Sequence, residues 1–156
     1  MAKGVASYAP EKVMNGSYAS MWIDSDFMGE GTELEAKISL EKKEVKQAGT
    51  LAKGYKIVGS DGKGKLKVNK ISSYFITKLA QPMKEGKTVT SQIESLIKDP
   101  DLGGSEERIL LKGVVFDELP LINWKTKELL EDELSFTFSD FEVKGTVARA
   151  AQTSNL

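Results

Sequence analysis

The chain has 156 residues, of which 40% are hydrophobic and 29% charged, and its formal net charge is -1. These values describe one folded domain with room for a core, and they exclude a protein whose whole surface binds nucleic acid or an anionic membrane. Cysteine and histidine are both absent, which excludes disulfides, thiolate metal sites and catalytic triads of the usual kinds. We therefore expect a protein that is not an enzyme and needs no cofactor or metal.

The first forty residues predict an N-terminal arm followed by two strands. The opening MAKGVASYAP lacks the apolar stretch of a signal peptide, so we expect synthesis in the cytoplasm without one. Residues 18–24 alternate in polarity and predict a first strand that contains Trp22. Residues 33–41 alternate cleanly and predict a half-buried strand with a polar outer face. That outer face consists of Glu33, Glu35, Lys37, Ser39 and Glu41.

A lysine- and glycine-rich stretch follows and has no sustained period. Residues 42–60 are therefore predicted to form a long loop, which at this length is functional or partly mobile. Asp61-Gly62 is a turn signal before a short strand at 63–68. The segment GSDGKGKL (59–66) matches the start of a phosphate-binding loop. However, Leu66 occupies the place of the required Ser or Thr, so a glycine-rich hairpin turn is the better interpretation.

The middle of the chain predicts one helix and two more strands. Ile71, Phe75 and Leu79 recur at intervals of four residues, which predicts a helix over about 72–82 that Pro82 ends or kinks. Residues 88–97 predict a strand, and residues 108–116 (RILLKGVVF) are apolar on both faces, as expected of a central strand. Between them lies the acidic, turn-rich segment DPDLGGSEE (99–107).

The last predicted strand, ELSFTFSDFE (133–142), changes sides along its length. Phe136 and Phe138 face one way and the intervening hydroxyl residues the other, but the next apolar residue, Phe141, breaks this parity. We predict a β-bulge or a crossing between sheets at Ser139–Asp140. The predicted core aromatic residues are Trp22, Phe75, Phe116, Phe136 and Phe138.

Charge is distributed unevenly along the chain. Residues 37–78 contain eleven lysines against three acids, and residues 98–142 contain twelve acids against five basic residues. This pattern is typical of two solvated faces, and it is equally expected of two complementary surfaces through which identical copies bind head to tail.

Several segments, in this order and at these spacings, resemble one known family. They are the early strand with Trp22, LKVNKISS (66–73), ERILLKGVVFDEL (107–119) and FTFSDFE (136–142). The resemblance covers roughly residues 15–144, and the family is the XkdM-like tail tube proteins of PBSX-type, phage-like contractile tails from Gram-positive bacteria.

The resemblance implies a single domain over 1–156, with a core at about 15–144 and terminal arms. It implies a mainly β fold, a tail-tube-type β-barrel or sandwich with one flanking helix. Hexameric rings of such proteins stack into a hollow tube, which a contracting sheath drives through the target envelope. The tube conducts DNA in a phage and ions in a bacteriocin. The implied partners are other copies of the chain, the sheath, baseplate and terminator proteins, non-specifically bound DNA and the target membrane, in a particle released on lysis.

Within this interpretation we predict three sets of assembly residues. The inter-ring contacts are Lys42, Lys43, Lys46, Leu51, Lys53 and Tyr55. Their acidic partners are Asp99, Asp101, Glu106, Glu131 and Asp132. The polar outer face of the strand at 33–41 (Glu33, Glu35, Lys37, Ser39, Glu41) lines the lumen. Two alternatives stay open, a tube-fold adaptor or baseplate protein whose rings do not polymerise and an unrelated β-sandwich binding module.

Overall fold

The computed structural model describes residues 8–149; the ends of both predicted arms, residues 1–7 and 150–156, lie outside the described residues. In chain order the elements are β1 (Ala19–Ile23), β2 (Asp26–Phe27), β3 (Gly31–Val45), β4 (Gly54–Asn69), α1 (Tyr74–Lys84), β5 (Ser91–Ile97), β6 (Glu107–Phe116), β7 (Glu131–Phe138) and β8 (Asp140–Gly145). Short 3-10 turns cover Pro10–Lys12, Gly16–Tyr18 and Pro100–Leu102.

The strands form one antiparallel sheet in the order β2-β1-β5-β6-β7-β4-β3, and β8 also pairs with β6. This arrangement confirms the mainly β prediction, and it confirms the central position of the apolar strand β6, which pairs with β5, β7 and β8. The order ends at β2 and β3, so within residues 8–149 the sheet is not closed into a barrel.

The core lies between the curled sheet and the inner face of α1. Phe75 of the helix stacks edge-on against Phe116, with ring centroids 5.8 Å apart, and Phe116 stacks in turn against Phe136 at 6.1 Å. These three side chains and Phe138 are buried. Edge-to-face packing of this kind adds about 0.5–1.5 kcal/mol per pair beyond the burial of apolar area.

Trp22 does not belong to this core. Met21 and Ile23 of β1 are buried, so the residue between them points to the opposite face of the strand. There Trp22 is only half-buried and packs on Phe27, with ring centroids 5.5 Å apart. The prediction was wrong because polarity alternation alone does not show which face of a strand meets the core.

The prediction of a long loop at 42–60 was also wrong. Pairing of β3 with β4 continues to Val45 and Gly54, so only residues 46–53 connect the strands. Side chains on both faces of this outer part of the hairpin are largely exposed. A strand with no buried face has no reason to alternate in polarity, and its sequence therefore lacks the period that identifies strands.

The predicted turn at Asp61-Gly62 lies in the middle of β4. Gly62 and Gly64 sit directly across from Phe138 and Phe136 of β7. A β-carbon on Gly62 would come within 2.7 Å of the Phe138 ring, and one on Gly64 would overlap both the Phe136 ring and the Glu35 carbonyl. These glycines make room for aromatic rings in the sheet and do not form a turn.

Helix α1 lies two residues further along the chain than predicted. It begins after its N-cap Ser73 and ends two residues beyond Pro82. A polar clamp fixes it to the β1–β2 turn: the Lys78 ammonium pairs with Asp24, and the Tyr74 hydroxyl donates to Asp26 Oδ2 at 2.9 Å. Among residues 8–149, no helix has the length and apolarity that a bilayer crossing requires.

The parity change at the end of the chain is a crossing within the sheet. Strand β7 pairs with one end of β6 at Val115 and Phe116, whereas β8 pairs with the other end from Arg108 to Lys112. Between them Gly113 adopts a φ of 66°, and a β-carbon there would overlap the Ser139 hydroxyl. The predicted change of side at Ser139–Asp140 is confirmed, but it joins two parts of one sheet and not two sheets. It needs glycine on the neighbouring strand.

Candidate assembly surfaces

One surface is a continuous polar face across β3, β4 and β7. We define the polar face as the odd-numbered residues 33–41, 59–67 and 133–137. Cross-strand registers place Glu35 beside Lys65 and Lys65 beside Ser135. The side chains therefore form rows across three strands on the side of the sheet away from the core.

Opposite charges alternate within the polar face. Lys65 Nζ lies 3.6 Å from Glu33 and 3.9 Å from Glu35, and Lys37 Nζ lies 3.0 Å from Glu35. The hydrogen bond from the Lys37 ammonium holds the pKa of Glu35 below its usual value. The face carries five carboxylates and four ammonium groups, so it is nearly neutral. Exposed pairs of this kind are screened by water and contribute little to stability.

The second surface is the outer part of the β3–β4 hairpin, which we call the arm (residues 39–61). Strand β7 pairs with β4 only from Gly62 onward, so within the part of the chain that the structure describes the arm has no third strand. A register shift between Glu41 and Lys42 bends and twists it further. Its apolar side chains are exposed: Leu51 fully, and Tyr55 and Ile57 by more than half.

The tip of the arm combines these apolar side chains with positive charge. Residues 42–57 contain five lysines and a single carboxylate, Glu44. An exposed apolar patch surrounded by charge is typical of a protein–protein contact, and it offers no cluster of groups for chemistry. Among residues 8–149, no group of three or more acidic side chains is arranged to hold a metal ion.

Comparison with known proteins identifies the family that has this architecture. A family model described as phage tail tube protein matches residues 6–144. The chain belongs to the phage tail tube protein family. It is 28% identical over 134 residues to the phage-like element PBSX protein XkdM of Bacillus subtilis (strain 168), covering 85% of this chain and 91% of that protein. The uncharacterized protein YqbM of the same organism matches equally well.

Solved structures show the same fold in components of contractile injection systems. A chain of the PVC extracellular contractile injection system sheath-tube complex superposes with a TM-score of 0.65 at 10% identity, covering 88% of this chain and 95% of that one. A chain of the anti-feeding prophage tube terminating cap gives 0.65 at 12% identity, covering 94% and 100%. At identities this low, the superpositions establish a shared fold and nothing further.

In this member of the family all six predicted inter-ring residues lie in the arm. Lys42 and Lys43 are on β3, Tyr55 is on β4, and Lys46, Leu51 and Lys53 are in the turn between them. The structure brings them together at one end of the molecule. It places them on a paired hairpin and not on the loop that the sequence predicted.

The predicted acidic partners do not form one patch. Asp99 is buried, and its carboxylate accepts hydrogen bonds from the backbone amides of Asn15 and Asp101, both at 3.0 Å. Asp132 is buried beside Val68. Glu106 precedes β6, whereas Glu131 begins β7 beyond the other end of β6. The Asp99 carboxylate is thus occupied in the fold, Asp132 is buried, and Glu106 and Glu131 lie at opposite ends of the sheet.

Two features of these surfaces were not predicted. The lysines of β4 share a face with the acids of β3, which only the strand register reveals. The segment between β6 and β7 exposes four large apolar side chains. These are Leu121, Ile122, Trp124 and Leu129. A single sequence shows neither feature. The first depends on which residues lie side by side in the sheet, and the second depends on which side chains stay uncovered in the fold.

Proposed function

We propose that this chain is the structural subunit of the inner tube of a contractile tail, and that it has no enzymatic role. Hexameric rings of the chain stack into a hollow tube, and contraction of a surrounding sheath drives the tube through the target envelope. Family membership and the fold shared with a chain of a sheath-tube complex support this proposal.

The arm is the observation that carries the proposal. Its two strands pair only with each other, and its apolar residues are uncovered in the single copy. Among residues 8–149, strand β3 also ends the sheet, and no strand pairs with the outer edge of its 15 residues. A long free edge and a bare apolar tip favour aggregation unless other copies cover them. Within a ring, neighbouring copies cover the free edge of β3. In a stack of rings, copies of the next ring cover the apolar tip of the arm.

We further propose that the polar face lines the lumen, with Glu33, Glu35, Lys37, Ser39 and Glu41 among its side chains. Its near-neutral charge supports this role, because a bore with many unpaired cations would hold DNA phosphates in place. The β4 lysines lie beside the β3 acids and offset their negative charge, so the polar face is balanced. Such a wall suits DNA in a phage and ions in a headless bacteriocin.

The remaining partners follow from this role. The sheath surrounds the tube, baseplate and terminator proteins close its two ends, and the target membrane is crossed during injection. The subunit is made in the cytoplasm and leaves the cell within the particle on lysis.

A ring-forming adaptor or terminator is the second candidate. The fold matches a chain of the PVC sheath/tube terminator with a TM-score of 0.66, as closely as it matches the sheath-tube chain. Such a protein forms rings that do not stack repeatedly. An unrelated binding module, by contrast, stays monomeric when dilute.

Electron microscopy of the purified chain separates these roles. We expect long hollow tubes; isolated rings indicate the adaptor, and monomers at all concentrations contradict both ring-based roles. A variant in which an Asn-Gly turn replaces residues 46–53 keeps the fold and loses the tubes. Ile71→Ala removes an apolar side chain that is 74% exposed outside the arm, and this control variant forms tubes normally.

A further inference from the structure

The segment between β6 and β7 is a second exposed apolar surface. We call residues 119–130 the Trp124 loop. Leu129 is fully exposed, Ile122 is 82% exposed and Trp124 is 68% exposed. Tryptophan is among the residues most enriched at the energetic centres of protein interfaces, where it is buried by the partner. Three large, exposed apolar side chains in one short loop indicate a docking surface.

The fold holds this loop at both ends. At its start the Asp117 amide donates to the Ser135 carbonyl at 2.8 Å, and at its end the Lys70 amide donates to the Leu130 carbonyl at 2.9 Å. Within the loop, a turn is closed by the Glu128 amide and the Lys125 carbonyl at 3.2 Å. The apolar side chains are therefore presented on a fixed scaffold, which lowers the entropic cost of binding a partner.

A cleft of about 260 Å³ opens within the loop, and its lining includes Trp124, Leu129, Glu128 and Glu131. Lys125 also lines the cleft, so two carboxylates stand against one ammonium group and the cleft is weakly acidic. The cleft thus fits a segment that carries an apolar side chain next to a lysine. Leu51 and Lys53 at the tip of the arm form such a pair.

The arm tip and the Trp124 loop lie at opposite ends of the molecule. Strand β4 starts at the tip with Gly54 and ends with Asn69, which pairs with Glu131 directly after the loop. Its 16 residues span about 50 Å at the usual rise per residue. One copy therefore cannot join its own two surfaces, but a second copy placed end to end can.

We propose that the arm tip of one copy docks on the Trp124 loop of a copy in the next ring. This inference rests on the proposed function and names the surface that receives the arm. The lysines of the tip are complementary to the two carboxylates of the cleft, Glu128 and Glu131, and both surfaces also offer exposed apolar side chains. Because the two surfaces differ, the contact is heterologous and repeats without closing, as a growing tube requires.

A mixing experiment with tryptophan fluorescence tests the contact directly. The receiving copy carries Trp22→Phe and the Asn-Gly replacement of residues 46–53, so Trp124 is its only tryptophan and it cannot donate an arm. The donating copy carries Trp22→Phe and Trp124→Ala, so it emits no tryptophan signal but keeps its arm. On mixing, we expect the Trp124 emission to move to shorter wavelengths, and micrographs to show paired rings without long tubes.

Matched donors sharpen this test. A donor that also carries Leu51→Asp and Lys53→Glu should bind about thirtyfold more weakly or not at all, because it loses the apolar contact and reverses one charge. A donor that carries Ile71→Asp instead, on an exposed residue outside the arm, should bind like the unmodified donor. The shift should also weaken as salt is raised, since part of the attraction is between exposed charges.

Either of two results overturns the inference. One is an unchanged Trp124 spectrum when donor is added, and the other is normal tube growth by the Trp124→Ala variant; both mean that the loop is free for another partner such as the sheath. The unmodified chain is imaged in parallel. Tubes without the Trp124 shift contradict only this inference, whereas a Trp124 shift without tubes contradicts only the proposed function.

Discussion

The two halves of the β3–β4 hairpin have the same backbone pairing but different surroundings. In the base (residues 31–38 and 62–69), Leu66 and Val68 are buried under β7 and the core. In the arm, Leu40 and Ile57 are about half exposed, although they lie on strands that continue directly from the base. Hydrogen bonding between two strands therefore extends a hairpin, but a third strand and a core are needed to bury its apolar side chains.

This difference separates stability from assembly within one hairpin. Changes in the base should alter the free energy of unfolding of the single copy. Changes in the arm should leave that free energy nearly unchanged and affect the association of copies instead. The following predictions test this separation, in order of decreasing effect.

Phe136→Ala should cost about 3–5 kcal/mol of unfolding free energy. The Phe136 side chain is 1% exposed and lies between Phe116 and Phe138, with ring centroids 6.1 and 6.4 Å away. Its removal leaves a cavity at the centre of the core. Denaturant titration followed by circular dichroism measures the loss, and a cost below about 1 kcal/mol would contradict the assigned core.

Gly64→Ala should cost about 1–3 kcal/mol, because the new methyl group overlaps the Phe136 ring and the Glu35 carbonyl in the base. Gly59→Ala is the matched control in the arm, where a β-carbon meets only the flexible side chain of Glu41, at 3.2 Å or more. The control should change stability by less than about 0.5 kcal/mol. Equal costs at both positions would refute the distinction between base and arm.

Asp24→Asn should cost about 1 kcal/mol near neutral pH by weakening the clamp that holds α1 against the sheet. The Lys78 and Asp24 side chains are 21% and 33% exposed, so solvent screens their pairing. Burial raises the pKa of the Asp24 carboxyl, but hydrogen bonds from the Lys78 ammonium and the Gln92 amide outweigh this and hold its pKa below the usual value.

The low pKa of Asp24 fixes the direction of the pH dependence. The carboxylate stabilises the fold above its unfolded pKa of about 4, and this stabilisation is lost as pH falls through the lower folded value. The difference between the native chain and Asp24→Asn should therefore shrink in acid. Asp61→Asn alters a far more exposed pair with Lys63 and serves as the control for stability at neutral pH, where its cost should be smaller.

Leu40→Ala should have the smallest effect on the single copy, within about 0.5 kcal/mol, because half of this side chain already contacts water. Sedimentation of the assembled state and denaturation of the monomer measure the two consequences separately. A large loss of monomer stability would mean that the arm is packed against the rest of the fold.

Particular residues show what the sequence could predict. Alternating polarity predicts the strands that have one buried face, such as those containing Leu34 and Phe136. A four-residue apolar period predicts α1. The outer hairpin had no such signal, because neither of its faces is buried. The segment around Gly62 and Gly64 has the composition of a turn. In the structure, however, these glycines contact aromatic rings on a strand that is distant in sequence.

The assembly surfaces were predicted only in part. The residues of the arm followed from the family resemblance and its lysine content, and the structure gathers them at one tip. The prediction of an exposed acidic partner was wrong at Asp99, because its carboxylate accepts hydrogen bonds from backbone amides. One of these donors is 84 positions away, and such a contact leaves no local pattern in the sequence. The Trp124 loop was missed because exposure is a property of the folded chain.

The order of synthesis gives the polar face one further consequence. Strands β3 and β4 leave the ribosome well before β7, although Leu66 needs Leu134 of β7 as its neighbour. During that interval the hairpin can form alone, since its strands are adjacent in sequence, while the base still lacks its cover. The rows of glutamate and lysine then act as a safeguard, because charged side chains along an uncovered strand discourage its pairing with other nascent chains. The same residues that we assign to the wall of the finished tube thus protect the subunit before it has finished folding.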